Sequence, residues 1–294
     1  MKHYESVIIG HISKDINIDC EENTVKMYGG AVLYSSASAY ALGHSVAAVT
    51  KISKDDETAL SEFTVPKEDV RVIYCDRTTS IRNKYFTADK ERRECICLSQ
   101  SEAFTMADLD GIGSDIYHFA GLIFGDYTDG MIEECSKRGS VAVDVQACVR
   151  HRDYENGNMY FEDWAEKKKL LPYITFLKTD AAEAQILTGT DDRKKAAEIL
   201  HSWGAKEILI THSTEVLAFD GRQFFTCPIK ARNLSGRTGR GDTTFSAYIT
   251  ERLKNDIPSS LLTATATVSL KMETPGVFKG TRKDVESYIN SFYK

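Results

Sequence analysis

The chain has 294 residues, 42% of them hydrophobic and 27% charged, with a formal net charge of −6. That length holds one large α/β domain or two small ones, and the acidic balance argues against a nucleic-acid partner, which calls for clustered positive charge. No stretch approaches the roughly 18 consecutive apolar residues of a membrane span, and the seven cysteines are scattered without zinc spacing, which points to free thiols in a reducing, cytoplasmic setting.

The run Val7-Ile8-Ile9-Gly10 reads as a short buried strand ending in glycine, too brief for a signal-peptide core. Asp15 follows where ligands commonly meet α/β sheets, at the end of a strand; a turn aspartate fits it equally. Ile16 to Met27 reads as a hairpin leading to Gly29-Gly30, after which small residues from Ala31 to Leu42 form a helix with Gly43 as its C-cap. Ser45 to Thr50 and Val70 to Cys75 are the next strands. Ser80 to Phe86 and Arg93 to Leu98 flank the polar stretch Thr87-Ala88-Asp89-Lys90-Glu91 as a second hairpin, with Cys95 and Cys97 on the same side of its strand. The strands within about 14–28 and 78–100 are expected to form a small sheet, either a lid over a substrate or a surface for a homodimer.

Beyond Asp115 strands alternate with helices: Ile116 to Phe119, helix Met131 to Arg138, Val141 to Val145, Tyr173 to Leu177, helix Arg193 to Trp203, and Ile208 to Thr211. Such alternation implies parallel βαβ units, and so an α/β fold with a doubly wound, mostly parallel sheet flanked by helices. No linker or repeat divides the chain, which reads as one domain, 1–294, plus the lid. The Lys167-Lys168-Lys169 run fits a solvated helix face.

The stretch from Gly236 to Tyr248 joins a glycine-paired turn to an apolar helix. Gly239 and Gly241 let backbone approach a ligand, and the first amides of a helix have no internal partners, so donors converge on an anion. Asp242 stands beside them. A carboxylate in an anion cradle makes chemical sense as the general base for an attacking hydroxyl in phosphoryl transfer; the same residues also fit a helix cap and a turn. Reading Arg240-Gly241-Asp242 as an adhesion tripeptide requires an exported chain, which the first residues do not favour. Neither Gly-x-Gly-x-x-Gly after the first strand nor a Gly-Lys-Ser/Thr loop is present, so the two common phosphate fingerprints are absent.

In order and spacing, Gly10 to Asp15, Gly29-Gly30 through Gly43, His118-Phe119-Ala120-Gly121, Lys178-Thr179-Asp180-Ala181-Ala182-Glu183, Leu187-Thr188-Gly189, Ile210-Thr211 and Thr238-Gly239-Arg240-Gly241-Asp242 resemble the ribokinase-like, or PfkB, family of carbohydrate kinases. The resemblance implies ATP-dependent phosphorylation of a sugar, polyol or nucleoside hydroxyl, an inositol-like cyclic polyol included. It places Asp242 on the base and Gly239, Arg240 and Gly241 on the anion hole, with Arg240 where the family has alanine. It places Asp15, Gly29 and Gly30 on substrate positions, and Lys178, Thr211, Ser213 and the helix Leu262 to Leu270, with Thr267, on the nucleotide side. Asp180 and Glu183 fall on the pair that organises Mg2+ through water and phosphate; a capping box fits them as well.

Three departures from the family pattern bear on the substrate, the nucleotide contacts and a monovalent-cation site in turn. Tyr34 stands where the family has a sugar-contacting asparagine, and an aromatic ring there either stacks on a polyol face or fills core. The glycines that usually follow Thr211 are missing. Gly236 replaces an aspartate before the cradle, which weakens the case for a monovalent-cation site. Asp144-Val145-Gln146 and Arg150 follow a strand within reach of a substrate, with a surface salt bridge as the other reading. A nucleoside kinase of the same fold and a non-catalytic ligand-binding or regulatory homologue stay open at this point.

Overall fold

Side-chain alternation along the strands sets the layers. In the first strand, Lys2–Ile9, Val7 and Ile9 enter one apolar cluster and Ile8 another, as a period of two requires when both faces of a sheet are covered. The computed structural model describes residues 2–87 and 92–294. Most of the expected polar turn at Thr87-Ala88-Asp89-Lys90-Glu91 lies outside the described residues.

Among the described residues, nine strands form the central sheet in the order Phe224–Pro228, Glu215–Phe219, Glu207–Thr211, Phe176–Asp180, Ser140–Asp144, Ile112–Phe119, Lys2–Ile9, Val46–Ser53 and Val70–Cys75. The last seven are parallel, and the first two join antiparallel at one edge. Helices Ala181–Thr188 and Arg193–Ser202 bury Ala184, Leu187, Ala197 and Leu200 against one face. Helices Arg240–Glu251, Ile257–Lys271 and Arg282–Phe292 cover the other through Phe245, Tyr248, Leu261 and Val285, so the expected doubly wound arrangement is present. Helix Ala31–Ala41 ends before Gly43, which takes the left-handed φ of +83° expected of a C-cap glycine.

A second sheet has the order Thr24–Gly29, Ser13–Ile18, Thr79–Tyr85, Arg93–Ser99, close to the expected lid strands. Asp15 lies within it, opposite Met27 and Ile81, and Ile81 pairs with Cys97. Ile81 and Cys97 are buried, so Asp15 shares the inward face and is a strand residue, not a turn aspartate.

Several boundaries differ from expectation, two of them near the middle of the chain. The strand read over Tyr173 to Leu177 runs instead from Phe176 to Asp180, because Leu171-Pro172-Tyr173 closes a 3-10 turn with Pro172 in its first turn. That shift carries Asp180 to the strand's carboxyl end. The helix expected to reach Arg138 stops at Ser136.

Candidate active site

The parallel strands release their chains at one edge. Ile9, Phe119, Asp144, Asp180 and Thr211 are terminal residues there, and register sets Lys178 beside Asp144 and Asp180 beside Thr211. In an open α/β sheet this carboxyl edge is where ligands bind.

Helix Arg240–Glu251 starts at this edge, with Gly239 as its N-cap at a φ of +77°. A Cβ at Gly239 would stand 2.2 Å from the ring of Tyr34, so both the conformation and the space demand glycine. Tyr34 is itself buried and packed on the cradle. No side-chain hydrogen bond caps this helix among the described residues, and Asp242 lies partly exposed in its first turn. The cap reading of Asp242 is thus unfulfilled, while amides and a carboxylate share one helix end.

Charge converges on the same place. Lys178 is buried and bridges Asp144 at 3.0 Å and Glu183 at 3.7 Å, and a Cβ at Gly241 would lie 3.2 Å from its Nζ. Burial alone would lower the Lys178 amine, but Asp144 and then Glu183 hold it above its ordinary value. Burial pushes the Asp242 carboxyl up to about 6, with Asp144 adding to the rise and Lys178, Lys271 and Arg150 opposing it. A base poised just below neutrality suits proton abstraction from a hydroxyl.

On the acceptor side, Asp15 Oδ1 is buried without a hydrogen-bond partner among the described residues. Burial raises its carboxyl, and Ser13 and Arg150 pull against that rise. A Cβ at Gly29 would lie 2.7 Å from Asp15 Oδ2, and Gly30, at a φ of +110°, would place one 2.3 Å from the His11 carbonyl, so Gly29 leaves the Asp15 carboxylate uncrowded and Gly30 is required by its own backbone. Arg150 is not a surface residue. It is buried, with Nε donating to the Leu122 carbonyl at 2.7 Å, because the short turn Gln146–Val149 leads the chain back beneath the strand edge. Gln146 sits partly exposed at the start of that turn.

Asp180 and Glu183 form a capping box. Glu183 N–H donates to Asp180 Oδ1 at 2.8 Å, and Asp180 N–H donates to Glu183 Oε2 at 2.7 Å. Burial raises the Glu183 carboxyl despite the opposing charge of Lys178. No cluster of three or more His, Cys, Asp or Glu side chains among the described residues is arranged to hold a metal ion. With Glu183 engaged by Lys178 and by the cap, this donor set fits Mg2+ only through water, as a hard ion that keeps several waters allows.

The nucleotide residues divide. Lys178, Gly239 and Gly241 meet at the cradle. Thr211 is buried and donates its hydroxyl to the Thr179 carbonyl at 3.4 Å. Thr267 is fully buried and donates to the Thr263 carbonyl at 2.8 Å. Ser213 is exposed on a tight turn closed by His212 N–H to the Glu215 carbonyl. Both hydroxyls are thus engaged with backbone carbonyls of the protein. Asp144, expected within reach of a substrate, pairs with Lys178, and Lys271 belongs to the site although no expectation named it. Lys271 recurs with Ala264 and Val268 on the buried stripe of its helix, a spacing readable in the chain but interpretable only once the helix is placed.

A glycine-capped helix end, a carboxylate of raised pKa and buried cations at the carboxyl edge of a doubly wound sheet define a phosphotransferase with an alcohol acceptor. The chain belongs to the pfkB family of carbohydrate kinases, whose model matches residues 5–283. It is similar, at 33% identity and a TM-score of 0.86 over 96% of this chain and 99% of the other, to a pyrophosphate-dependent kinase in the ribokinase family solved as a sulfate complex. A pyrophosphate-dependent kinase of that family complexed with a pyrophosphate analog and myo-inositol matches at 32% identity and 0.86 over the same shares. A cytidine kinase of Thermococcus kodakarensis is 27% identical over 256 residues, 83% of this chain and 86% of its own. Membership of a kinase family sets aside the non-catalytic homologue.

Proposed function

We propose that the chain transfers a phosphoryl group from inorganic pyrophosphate to a hydroxyl of a cyclic polyol, with Asp242 as general base. The observation that carries this is the convergence of Asp242, the 239–242 amides and Lys178 on one helix end, while the hydroxyls of Thr211 and Thr267 donate to backbone carbonyls of the protein. A donor that is all phosphate needs the first set and not the second. The pyrophosphate donor and myo-inositol of the related kinase complex support both choices.

In this reading the acceptor hydroxyl attacks the terminal phosphorus, its proton passes to Asp242, and the bond to the bridging oxygen breaks to release phosphate. The amides of Gly239, Arg240 and Gly241 stabilise charge on the transferring group, Arg240 adding a cation. Asp15 accepts from acceptor hydroxyls through its orphaned oxygen, with Tyr34, Gln146 and Arg150 shaping the pocket. Asp180 and Glu183 would hold Mg2+ through water, and the bound ion would supply charge neutralisation on the donor phosphates.

A second reading, ATP as donor and a nucleoside as acceptor, draws on the resemblance of the cradle to ATP-dependent kinases and on the cytidine kinase. Initial rates with pyrophosphate or ATP against myo-inositol, ribose, fructose and cytidine separate the two. The proposal expects pyrophosphate to exceed ATP in kcat/KM by at least ~10-fold with myo-inositol; turnover confined to ATP would overturn the donor assignment. Exposed apolar Leu98 of the small sheet and Phe86 just past the end of one of its strands support pairing of two copies through the lid. The seven free cysteines support a reducing, cytoplasmic setting, and no helix among the described residues is long and apolar enough to cross a membrane.

A further inference from the structure

Lys271 ends helix Ile257–Lys271 and is only 1% exposed. Its ammonium donates to the Gly236 carbonyl at 2.6 Å and to the Thr238 carbonyl, and lies 5.0 Å from the centroid of the Tyr34 ring. A buried ammonium is expensive unless its protons are taken up, and here backbone carbonyls of the cradle loop take them up.

That loop is fastened at further points. Gly236 N–H donates to the Met272 carbonyl at 2.7 Å, and a Cβ at Gly236 would lie 1.9 Å from the Thr274 carbonyl oxygen. Carbonyls of residues 236 and 238 are thereby turned toward one positive centre, immediately before the amides of residues 239–242. Convergent carbonyl oxygens are what a bound monovalent cation uses. An ammonium carries the same charge at a similar size.

We propose that Lys271 acts as a covalently tethered monovalent cation: its ammonium occupies a carbonyl-lined site, fixes the cradle loop, and makes the enzyme independent of dissolved K+ or NH4+. It is a positioning residue, acting through the Gly236 and Thr238 carbonyls on the amides that face the phosphoryl group. The inference rests on the proposed phosphoryl transfer at that cradle. Burial pulls the amine down to about 8, and Asp242 partly restores it, consistent with a cation held by dipoles.

The test compares wild type, Lys271→Ala and Lys271→Arg in tetramethylammonium buffer, with K+, NH4+ or methylammonium added, reading kcat, acceptor KM and thermal midpoint. Wild-type kcat is expected to change by less than about twofold with any added cation. Lys271→Ala, which vacates the ammonium's place, is expected to lose about 10- to 100-fold in kcat with little change in acceptor KM, as a cradle displaced by about 1 Å would. Potassium, NH4+ or methylammonium is expected to restore at least several-fold of that loss and to raise the variant's midpoint, as ligands of the folded state do. Lys271→Arg, too large for the place, is expected to lose activity that none of them restores. Wild-type activation by K+, a folded Lys271→Ala with normal kcat, or a loss that no cation repairs would overturn the proposal. If Lys271→Ala is unfolded in the reference buffer, recovery of folding on adding K+ or methylammonium supports it and failure with all three overturns it. If wild type transfers phosphate to no acceptor, the proposed function fails on its own, while the cation-specific midpoint of Lys271→Ala still decides the role of Lys271.

Discussion

Replacing Asp242 by asparagine keeps shape while removing the base and its charge, and the account expects activity and stability to move in opposite directions. Turnover should fall by ~100- to 10,000-fold, the usual range for a lost general base. The stability change follows from the site's electrostatics. The carboxyl rises from an ordinary 3.8 to about 6 on folding, so the folded state binds this proton more tightly than the unfolded chain does. The resulting penalty is absent well below 3.8, grows between the two values and is complete above about 6. At about 1.4 kcal/mol per pH unit the ceiling is about 3 kcal/mol, with the attractions of Lys178, Lys271 and Arg150 already contained in that shift, and solvent screening of the partly exposed carboxylate brings the net gain to about 1–2 kcal/mol. The variant's midpoint should therefore rise by about 2–5 °C near pH 7.5 and by almost nothing near pH 4. Initial-rate assays and thermal melts at both pH values make the comparison. Near-normal turnover, or a midpoint that falls at neutral pH, would refute the reasoning.

Other outcomes follow from the same geometry. In wild type, kcat/KM should decline about tenfold per pH unit below about 6 as Asp242 protonates; a flat acid limb in a pH–rate profile would remove it as the base. Lys178→Met should raise the Asp242 carboxyl and move that limb to higher pH, and should cost about 3–5 kcal/mol in a denaturant melt because Asp144 is left buried and unpaired. Gly241→Val, with its Cβ directed at the Lys178 ammonium, should abolish donor binding in calorimetry while leaving the circular dichroism spectrum unchanged; an unaltered Kd contradicts it. Asp180→Ala should lose about 1 kcal/mol of stability through the helix cap and also raise the Mg2+ concentration for half-maximal rate; a loss of stability alone would leave Asp180 as a cap only.

Much of the architecture was legible because alternation of apolar runs with helical stretches has few solutions, and because Gly29, Gly30, Gly239 and Gly241 mark where backbone must come close to something. The misplaced strand near Tyr173 came from reading an apolar run as extended through Pro172, where the turn chemistry of proline decided otherwise. Arg150 was given a surface alternative because exposure is the rule for arginine; its burial depends on a chain reversal after Asp144 that no local pattern announces. Thr211 and Thr267 showed the opposite limit. Each falls on a plausible position in sequence, but what its hydroxyl bonds to is set by the fold: Thr211 donates to the Thr179 carbonyl on the adjacent strand and Thr267 to the Thr263 carbonyl one helical turn earlier. Lys271 was missed because a lysine at a helix end reads as solvated until the carbonyls of Gly236 and Thr238 are seen around it.

A crystal structure with a nonhydrolysable pyrophosphate analog and myo-inositol tests the central claim most directly. The account predicts a terminal phosphorus against the amides of residues 239–242 and an acceptor hydroxyl within hydrogen-bonding distance of Asp242. An analog bound away from that helix end, or an acceptor whose hydroxyls all lie beyond reach of Asp242, would contradict it.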